Sequence, residues 1–384
     1  MATHKYALVL SGGGFKGAFQ LGALKHIFAN GIPHNDGMDT NVKFDIVVGV
    51  SVGALNGALV AMNRFDLLEQ LWDDVAKKGH TEIYTSDILN VTDDPNETKI
   101  TPDFGAVLKK ILPSSIFGTV LQFIFDRDEV MAEIGANFKK LKGLADNTPL
   151  LNKLKTVVAK NNFPADVVYR CGFVSLTDGK YYALGPDDFD SDKDLQLGIV
   201  ASTAIPIVWP PMPRIKTKNG VIKNSSDGGV RNITPLGDVI GFIKKQQQPN
   251  EQWHIIVINC NSQEEAASDI EYGIADVALR AINDIMTNEI FQSDMSEFLR
   301  INELVNQVEM AKAAGKIAPD FELTDPKGTI LRSFNIKIIE PAQQKDVGST
   351  LDSSRKAIQK RFKAGFLRAD DVLKTPSSLS EPWS

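Results

Sequence analysis

Short apolar runs alternate with helix-like stretches over the first 62 residues of the chain. Residues 6–10 form an apolar run, which leads through a glycine-rich turn into a stretch of helical character at about residues 16–29. A second apolar run at residues 44–50 turns at Ser51 directly into the apolar residues 52–62. Strands of a parallel sheet are buried on both faces and are joined by helices that cover the sheet. The repeated order of strand, turn and helix therefore predicts an α/β fold with a mainly parallel central sheet.

The pattern becomes mainly helical between residues 65 and 163. Apolar residues recur there at the spacing of one helix face, at Leu68, Leu71, Trp72 and Val75. A polar stretch at residues 90–101 is typical of an exposed loop, whereas residues 107–125 are unusually apolar. We therefore interpret residues 65–163 as a mostly helical insertion in the α/β domain.

Strand patterns return after residue 163 and alternate with loops and helices to the end of the chain. The predicted elements are a hairpin at residues 167–176 and 181–184, a proline-rich loop at 199–213, a strand at 253–259, a helical region at 264–314, a strand at 333–339 and a helix at 353–370. No repeat or linker divides the chain, so we expect one domain over residues 1–384 with a three-layer α/β/α arrangement. Residues 264–330 are interpreted as a helical addition, and residues 375–384 as a flexible tail.

Composition narrows the classes of function. The chain has 384 residues, enough for a large core, and its formal net charge of −6 gives no electrostatic reason to expect nucleic-acid binding. Its two cysteines, Cys171 and Cys260, stand apart in apolar surroundings and suggest neither a disulfide framework nor a metal site. No stretch approaches the roughly 18 apolar residues of a membrane-spanning helix. We therefore expect a soluble, cytoplasmic protein without a metal or cofactor.

The glycine-rich turn after the first strand suits two kinds of ligand. The sequence Gly12-Gly13-Gly14-Phe15-Lys16-Gly17 contains the pattern G-x-G-x-x-G between a strand and a helix, which is the context of a dinucleotide-binding loop. Such a site also needs a carboxylate at the end of the second strand, and here that strand ends at Val50 and Ser51 without one. Backbone N–H groups of such a loop bind phosphate, and they equally stabilise the oxyanion of an acyl-transfer intermediate. The loop by itself leaves both a nucleotide-binding enzyme and an acyl hydrolase open.

The turn after the second strand favours acyl transfer. Residues 49–53, Gly-Val-Ser-Val-Gly, match G-x-S-x-G at a strand-to-helix turn, the context in which this motif exposes a nucleophilic serine. Gly49 and Gly53 relieve crowding on both sides of Ser51, and the N-terminus of the following helix favours negative charge. Because both turns lie at the carboxyl edge of a parallel sheet, we expect Ser51 to lie near the amides of residues 12–14.

A serine nucleophile needs a base, and the sequence offers two candidates. His254 would complete the order Ser51, Asp227, His254, which is that of α/β-hydrolases. However, His254 begins an apolar strand instead of following one, so we expect it at the wrong edge of the sheet. Asp227 is followed by Gly228 and Gly229, which allow a tight turn and a close approach to the serine. The residues favour Asp227 and leave the Ser–Asp–His triad as an alternative.

Together these motifs resemble those of the patatin-like phospholipase family. The family patterns G-G-G-x-[KR]-G, G-x-S-x-G and D-G-[GA] match residues 12–17, 49–53 and 227–229 in that order. Residues 201–212 also resemble the family sequence around the aspartate turn. Four ordered matches make the resemblance specific.

The resemblance implies a lipid acyl hydrolase, of the phospholipase A or esterase type, that works through an acyl-enzyme. Ser51 would attack a lipid ester, and Asp227 would take and return the proton. The amides of Gly12, Gly13 and Gly14 would form the oxyanion hole. The supporting residues would be Lys16, which could stabilise the oxyanion or a lipid phosphate, and the turn glycines Gly17, Gly49, Gly53, Gly228 and Gly229.

The resemblance covers residues 5–62 and 165–260 best and leaves the insertion at 65–163 unexplained. We hypothesise that residues 107–125 form a lid or an acyl-chain wall, because they would place apolar surface beside a lipid site. An ordinary pair of core helices is the alternative. The expected partner is a lipid or phospholipid ester, with room for peripheral contact with a membrane or lipid aggregate. The sequence carries no signal for oligomeric state.

Overall fold

A central sheet organises the structure, a computed structural model that describes residues 3–35, 37–111, 137, 141–246, 248, 250–263, 277 and 280–374. The strands in these residues are β1 (Thr3–Leu10), β2 (Ile32–His34), β3 (Gly37–Asp39), β4 (Ile46–Val50), β5 (Leu89–Asp93), β6 (Thr98–Pro102), β7 (Val168–Ser175), β8 (Tyr181–Leu184), β9 (Met212–Thr217), β10 (Gly220–Asp227), β11 (Glu251–Ile258) and β12 (Asn335–Ile339). The α-helices in the same part of the chain are α1 (Gly17–Asn30), α2 (Val52–Ala61), α3 (Phe65–Lys78), α4 (Phe104–Ile111), α5 (Thr148–Val157), α6 (Asp192–Ser202), α7 (Leu236–Gln246), α8 (Thr287–Ala313) and α9 (Arg355–Leu373).

Eight of the described strands form the central sheet, in the order β12-β11-β1-β4-β7-β10-β9, with β8 also paired to β7. The strands β12, β11, β1, β4 and β7 are parallel, whereas β10, β9 and β8 are antiparallel to their neighbours. The register places Leu10 opposite both Ile258 and Gly49. The expected α/β fold with a mainly parallel sheet is confirmed.

Alternate residues of β1 face two different cores. Tyr6, Leu8 and Leu10 lie in the core that includes α1, α2, α3, α5, α6 and α9. Ala7 and Val9 lie in the second core, with α7 and α8. Helices therefore cover both faces of the sheet in three layers. Because neither face of this strand meets water, its sequence is apolar throughout residues 6–10, without the polar alternation of a half-exposed strand.

Helices α1 and α9 touch at two glycines. A Cβ atom on Gly22 would collide with the carbonyl of Phe362, and one on Gly365 would collide with the carbonyl of Phe19. Any side chain at either position would push the two helices apart, so glycine is required for this close approach. The contact holds α9 against the helix that follows the glycine loop.

The region between residues 65 and 163 differs in one respect from the prediction. Its described part contains α3, α4 and α5, but residues 89–102 form the antiparallel hairpin of β5 and β6 where we expected a loop. Leu89, Val91 and Ile100 share one half-buried face of this hairpin, but each strand contributes too few apolar residues for the pattern to stand out in a polar stretch. Polar contacts also support the hairpin, and among them the Thr98 N–H donates to the Asp352 carboxylate. The proposed lid at residues 107–125 lies for the most part outside the described residues.

Most of the later elements lie where the sequence places them, but the predicted loop at residues 199–213 is shorter than expected. The helix α6 continues to Ser202, and β9 begins at Met212. A seven-residue π-helix, Arg280–Met286, precedes α8. Residues 264–276 and the expected tail at 375–384 lie outside the described residues. Among the helices that the structure describes, none has both the length and the apolar character needed to cross a bilayer.

Candidate active site

Three adjacent parallel strands end at the same edge of the sheet. The carboxyl ends of β11, β1 and β4 lead into residues 259–261, the glycine loop at residues 12–17 and Ser51. The structure thus brings the two predicted turns together. It also adds a segment, residues 259–261, that the sequence analysis did not connect with the site.

Ser51 occupies a strained turn between β4 and α2. Its φ of 56° and ψ of −129° lie in a region that side chains rarely adopt, as expected for a nucleophile on a sharp strand-to-helix turn. The flanking glycines permit this turn, because a Cβ atom on Gly49 would collide with the carbonyl of Gly53 and one on Gly53 would collide with that of Leu10. Ser51 is buried, with 3% of its surface exposed.

Ser202 holds the backbone of this turn. The Ser51 N–H donates to Ser202 Oγ at 2.8 Å, and the Ser202 hydroxyl donates in turn to the carbonyl of Gly172 on β7. These two hydrogen bonds connect the turn at Ser51 to the neighbouring strand β7. In the sequence, Ser202 lies within the family-like segment at residues 201–212, and no motif there indicates this role.

Asp227 reaches the site from an antiparallel strand. It is the last residue of β10 and pairs with Phe173 on β7, while Val50 pairs with Gly172 one residue earlier. Asp227 therefore lies level with Ser51 on the other side of β7. A Cβ atom on Gly228 would lie 2.6 Å from the carbonyl of Gly172, so this glycine lets the turn pack onto β7.

One oxygen of the Asp227 carboxylate accepts a hydrogen bond, whereas the other has no partner of ordinary geometry among the described residues. Oδ1 accepts a hydrogen bond from the Gly229 N–H at 2.7 Å, whereas the buried Oδ2 has no hydrogen-bond partner of ordinary geometry among the described residues. Burial raises the pKa of Asp227 to about 7, against the opposing effects of the Ser51 hydroxyl and the Gly229 N–H. The carboxyl group therefore changes its protonation state near neutral pH, with Ser51 close enough to influence it.

The glycine loop offers two of its three predicted amides. The Gly12 N–H donates to the carbonyl of Ile233 at 3.1 Å and is therefore used within the fold. No described residue accepts a hydrogen bond from the N–H of Gly13 or Gly14. Gly14 adopts a φ of +53°, which suits glycine. Of the three amides expected to form an oxyanion hole, only those of Gly13 and Gly14 remain as candidate donors.

Lys16 and Gly17 lie behind the loop. Lys16 is 1% exposed, and its Nζ donates to Asn261 Oδ1 at 2.7 Å. Lys16 does not line the cavity that contains Ser51 and Asp227, whereas Asn261 does. A Cβ atom on Gly17 would collide with Val52 on α2, so this glycine packs α1 against α2. The role that the resemblance implies for Lys16, charge support of the oxyanion or of a lipid phosphate, stays a prediction, and Lys16 does not face this cavity directly.

Arg361 on α9 ties the glycine loop to residues 347–352. Its buried guanidinium donates to the carbonyls of Phe15, Val347, Ser349 and Asp352 at 2.5–3.2 Å. Burial lowers the pKa of Arg361 to about 10. The segment it holds includes Thr350, whose carbonyl accepts from the Phe15 N–H at 3.0 Å. No motif in the sequence marks this arginine, because its partners are backbone carbonyls.

Replacing Arg361 by leucine should destabilise the protein by roughly 3 kcal/mol or more, because buried carbonyls would lose charged donors. Urea unfolding followed by circular dichroism measures this change. Arg368 on the same helix is the control. It donates to the Glu340 carbonyl and to Asp371 but keeps 34% of its side chain exposed. Arg368→Leu should cost less than about 1 kcal/mol. Equal losses in the two variants would contradict a special role of Arg361.

Two cavities meet at Ser51. One, of about 50 Å³, is lined mainly by apolar side chains of α2, α3 and α5, together with Trp209 and Leu351. The other, of about 30 Å³, is lined by the glycine loop at residues 12–14, Asp227 and Asn261. Ser51, Gly14, Ile205 and Thr350 line both. Ser51 therefore lies between an apolar space and a polar one.

The structure does not bring His254 to the site. His254 pairs with Tyr6 near the start of the parallel strands, four positions before the pair Leu10 and Ile258 at the catalytic edge. At about 3.3 Å per residue this is roughly 13 Å along the strand. His254 instead shares a hydrogen bond of 2.8 Å with His4, and burial lowers its pKa to about 4. The alternative triad through His254 is therefore not assembled.

The structural requirements for dinucleotide binding are also incomplete. Ser51, not a carboxylate, follows β4, and the nearby Asp45 precedes this strand and pairs with Lys5 at 2.6 Å.

Cys171 and Cys260 are buried free thiols. Within the described residues, no group of three or more His, Cys, Asp or Glu side chains is arranged to hold a metal ion.

Comparison with known proteins gives one family match. The family model described as "Patatin-like phospholipase" matches residues 8–240, more than half of the chain. Among solved structures, VipD from Legionella pneumophila is similar, with 12% identity over 96% of this chain and 67% of that chain, and a TM-score of 0.32. No curated protein matches the sequence. The matched region contains the glycine loop, Ser51 and Asp227. The chain therefore belongs to the patatin-like phospholipases, a family of lipid acyl hydrolases.

Proposed function

We propose that this protein hydrolyses carboxylic esters of lipids by a Ser51–Asp227 dyad through an acyl-enzyme. The observation that carries the proposal is the position of Ser51 between the two cavities. The polar one contains the carboxylate and the free amides, and the apolar one has the lining that a hydrocarbon chain would contact. A serine in that position contacts the ester while the acyl chain lies away from water.

Asp227 would act as the general base. Its Oδ1 is held by Gly229, which leaves the unpaired Oδ2 to accept the proton of the Ser51 hydroxyl. A base is most effective when its pKa lies close to the working pH, and burial raises the pKa of Asp227 to about 7. In structures without substrate, catalytic hydrogen bonds are often long and tighten when substrate binds, which agrees with the imperfect geometry at Oδ2.

Each half of the reaction then uses the same groups. Ser51 Oγ attacks the carbonyl carbon while its proton passes to Asp227, and negative charge develops on the carbonyl oxygen. The N–H groups of Gly13 and Gly14 would donate to that oxygen, and the N-terminus of α2 adds a favourable field. Asp227 returns the proton to the leaving alcohol as the ester bond breaks. Water then attacks the acyl-enzyme by the reverse sequence, which releases the carboxylic acid and restores Ser51.

The apolar cavity supports lipids as the substrate class. Its wall includes Leu55, Trp72, Val75 and Leu150, which would gain apolar contact with an acyl chain. Burial of each methylene group contributes about 0.8 kcal/mol, so longer chains should bind more tightly until the cavity is full. A phospholipid or another lipid ester fits this arrangement, and peripheral contact with a membrane or lipid aggregate would deliver it.

Labelling with a fluorophosphonate tests the proposal. We expect the probe to modify Ser51, and Ser51→Ala to lose both labelling and hydrolysis of p-nitrophenyl esters and phosphatidylcholine vesicles. Wild type should prefer longer acyl chains over butyrate, as judged from kcat/KM. A thermal shift with NAD or ATP in the absence of any reaction with the fluorophosphonate would overturn the proposal in favour of nucleotide binding.

A further inference from the structure

Asn261 lies in the polar cavity beside the glycine loop. It follows β11 at the catalytic edge, is 6% exposed, and lines the same cavity as Gly13, Gly14 and Ser51. Its backbone is fixed by Asn259, which accepts from the Asn261 N–H at 3.3 Å and donates to the Asn261 carbonyl at 2.8 Å. Asn261 is therefore a rigidly held polar side chain in the cavity of the nucleophile.

Lys16 determines which way the Asn261 amide points. A lysine ammonium group only donates hydrogen bonds, so the atom 2.7 Å from Lys16 Nζ must be the amide oxygen Oδ1. The amide nitrogen Nδ2, with its two N–H groups, is consequently on the side away from Lys16. The usual ambiguity between oxygen and nitrogen of an asparagine is removed here by the chemistry of the partner.

The Nδ2 donors are unused and accessible. Asn261 Nδ2 donates to no described residue. Unlike Asp227 Oδ2, it is not fully enclosed by the protein. Asn261 lines the cavity with the free amides of Gly13 and Gly14, and an Nδ2 turned away from Lys16 is placed to donate into that space. A donor in this position faces the same acceptor-binding space as the two backbone amides.

The charge of Lys16 strengthens this donor. The ammonium group is 1% exposed and hydrogen-bonded to Oδ1, so it draws electron density toward the oxygen and makes the Nδ2–H groups more positive. Such polarisation matters most when the acceptor is negatively charged. A neutral headgroup hydroxyl would gain little from it, whereas a developing oxyanion would gain most.

We propose that Asn261 is a third donor of the oxyanion hole and that Lys16 is its positioning residue. The proposal rests on the function proposed above. The side chain of Asn261, which follows the neighbouring strand β11, would take the place of the Gly12 N–H, because that N–H already donates to Ile233. The buried Lys16 would then assist catalysis without contact with the substrate.

The test compares kcat and KM of Asn261 variants on p-nitrophenyl butyrate and on phosphatidylcholine vesicles. Asn261→Ala should lower kcat by about 10²–10³-fold on both substrates, with KM nearly unchanged, because the lost bond acts mainly in the transition state. Asn261→Asp should be at least as slow, since its carboxylate accepts from Lys16 but offers no donor. This second variant keeps an acceptor for the buried Lys16 ammonium group and guards against a general loss of folding.

Lys16 variants test positioning. Lys16→Met should lower kcat by about 10-fold or more, because the Asn261 amide is no longer oriented or polarised. Lys16→Arg keeps a charged donor and should recover much of that loss. Gln344→Ala is the matched control, since Gln344 contacts the adjacent Ser262 without lining the cavity, and its kcat should stay within about 2-fold of wild type.

Three results would overturn the proposal. An unchanged kcat in Asn261→Ala would exclude a donor role, and a loss confined to the phospholipid would assign Asn261 to the headgroup instead of the oxyanion. Equal losses in Lys16→Arg and Lys16→Met would mean that the charge of Lys16 has no role. Hydrolysis by Ser51→Ala at the wild-type rate is a different outcome, because it would refute the proposed dyad itself.

Discussion

Asp227→Asn is expected to lower kcat/KM by about 10⁴-fold or more, because the proposed base becomes an amide that cannot accept the serine proton. Wild-type kcat/KM should rise with pH and reach half of its maximum near pH 7, since Asp227 must be ionised and burial raises its pKa to about 7. Steady-state hydrolysis of p-nitrophenyl butyrate between pH 5 and about pH 9 measures both effects. The variant's residual activity should lack this pH dependence.

Asp238→Asn provides the control for this experiment. Burial also raises the pKa of Asp238, but its carboxylate accepts from the Tyr181 hydroxyl and does not line either cavity at Ser51. Its kcat/KM should remain within a few-fold of wild type. A similar loss in both variants, or a rise of kcat/KM with pH that persists in Asp227→Asn, would assign the base to another group.

The same substitution should stabilise the folded protein at alkaline pH. The pKa of Asp227 is higher in the folded state than its ordinary value of 3.8, so the unfolded chain loses its proton first and stability falls as pH rises from about 4 to 7. Raising a pKa from 3.8 to about 7 corresponds to a cost on the order of 4 kcal/mol above pH 7. Asparagine is neutral at every pH and avoids this cost. Asp227→Asn should therefore raise Tm at pH 8 and leave it nearly unchanged at pH 4, as differential scanning calorimetry would measure.

Gly14→Ala is expected to lower kcat by about 10²–10³-fold, the usual loss when one oxyanion donor is displaced. Gly14 has a φ of +53°, and a Cβ atom there would lie 2.7 Å from the Thr350 methyl group and 2.8 Å from the Thr350 carbonyl oxygen. Because Arg361 holds this segment through its carbonyls, it cannot move away easily, and the loop must shift instead. Steady-state kinetics with a short and a long ester measures the effect, which should be similar for both.

Gly315→Ala separates the backbone cost from the catalytic effect. Gly315 has a φ of +66°, comparable with that of Gly14, and a Cβ atom there would meet nothing within 4 Å. Both alanine variants should lose about 1 kcal/mol or more in unfolding experiments, but Gly315→Ala should keep its kcat. If Gly14→Ala kept its kcat as well, the Gly14 amide would have no part in the oxyanion hole.

Local patterns in the sequence predict the elements that carry the site. The apolar runs at residues 6–10 and 44–50 become buried parallel strands, because a strand covered on both faces needs apolar residues at every position. The glycine loop and the turn at Ser51 are equally visible, since close backbone contacts there require glycine within a few residues of sequence. The hairpin at residues 89–102 escapes prediction because its apolar face consists of a few residues in a polar stretch, and because it also depends on contacts with residue 352.

The sequence by itself determined the family, the parallel α/β core and the candidates Ser51 and Asp227, because these depend on motifs that are contiguous in the chain. Only the tertiary structure decided which groups meet at the edge of the sheet. In the fold, the Gly12 N–H donates to the Ile233 carbonyl, and His254 lies away from the site. Lys16 lies behind Asn261, which is 245 positions away in the chain. Burial, likewise a property of the fold, raises the pKa of Asp227 to about 7. Hydrogen bonding and desolvation depend on neighbours in space, and a linear pattern contains no record of them.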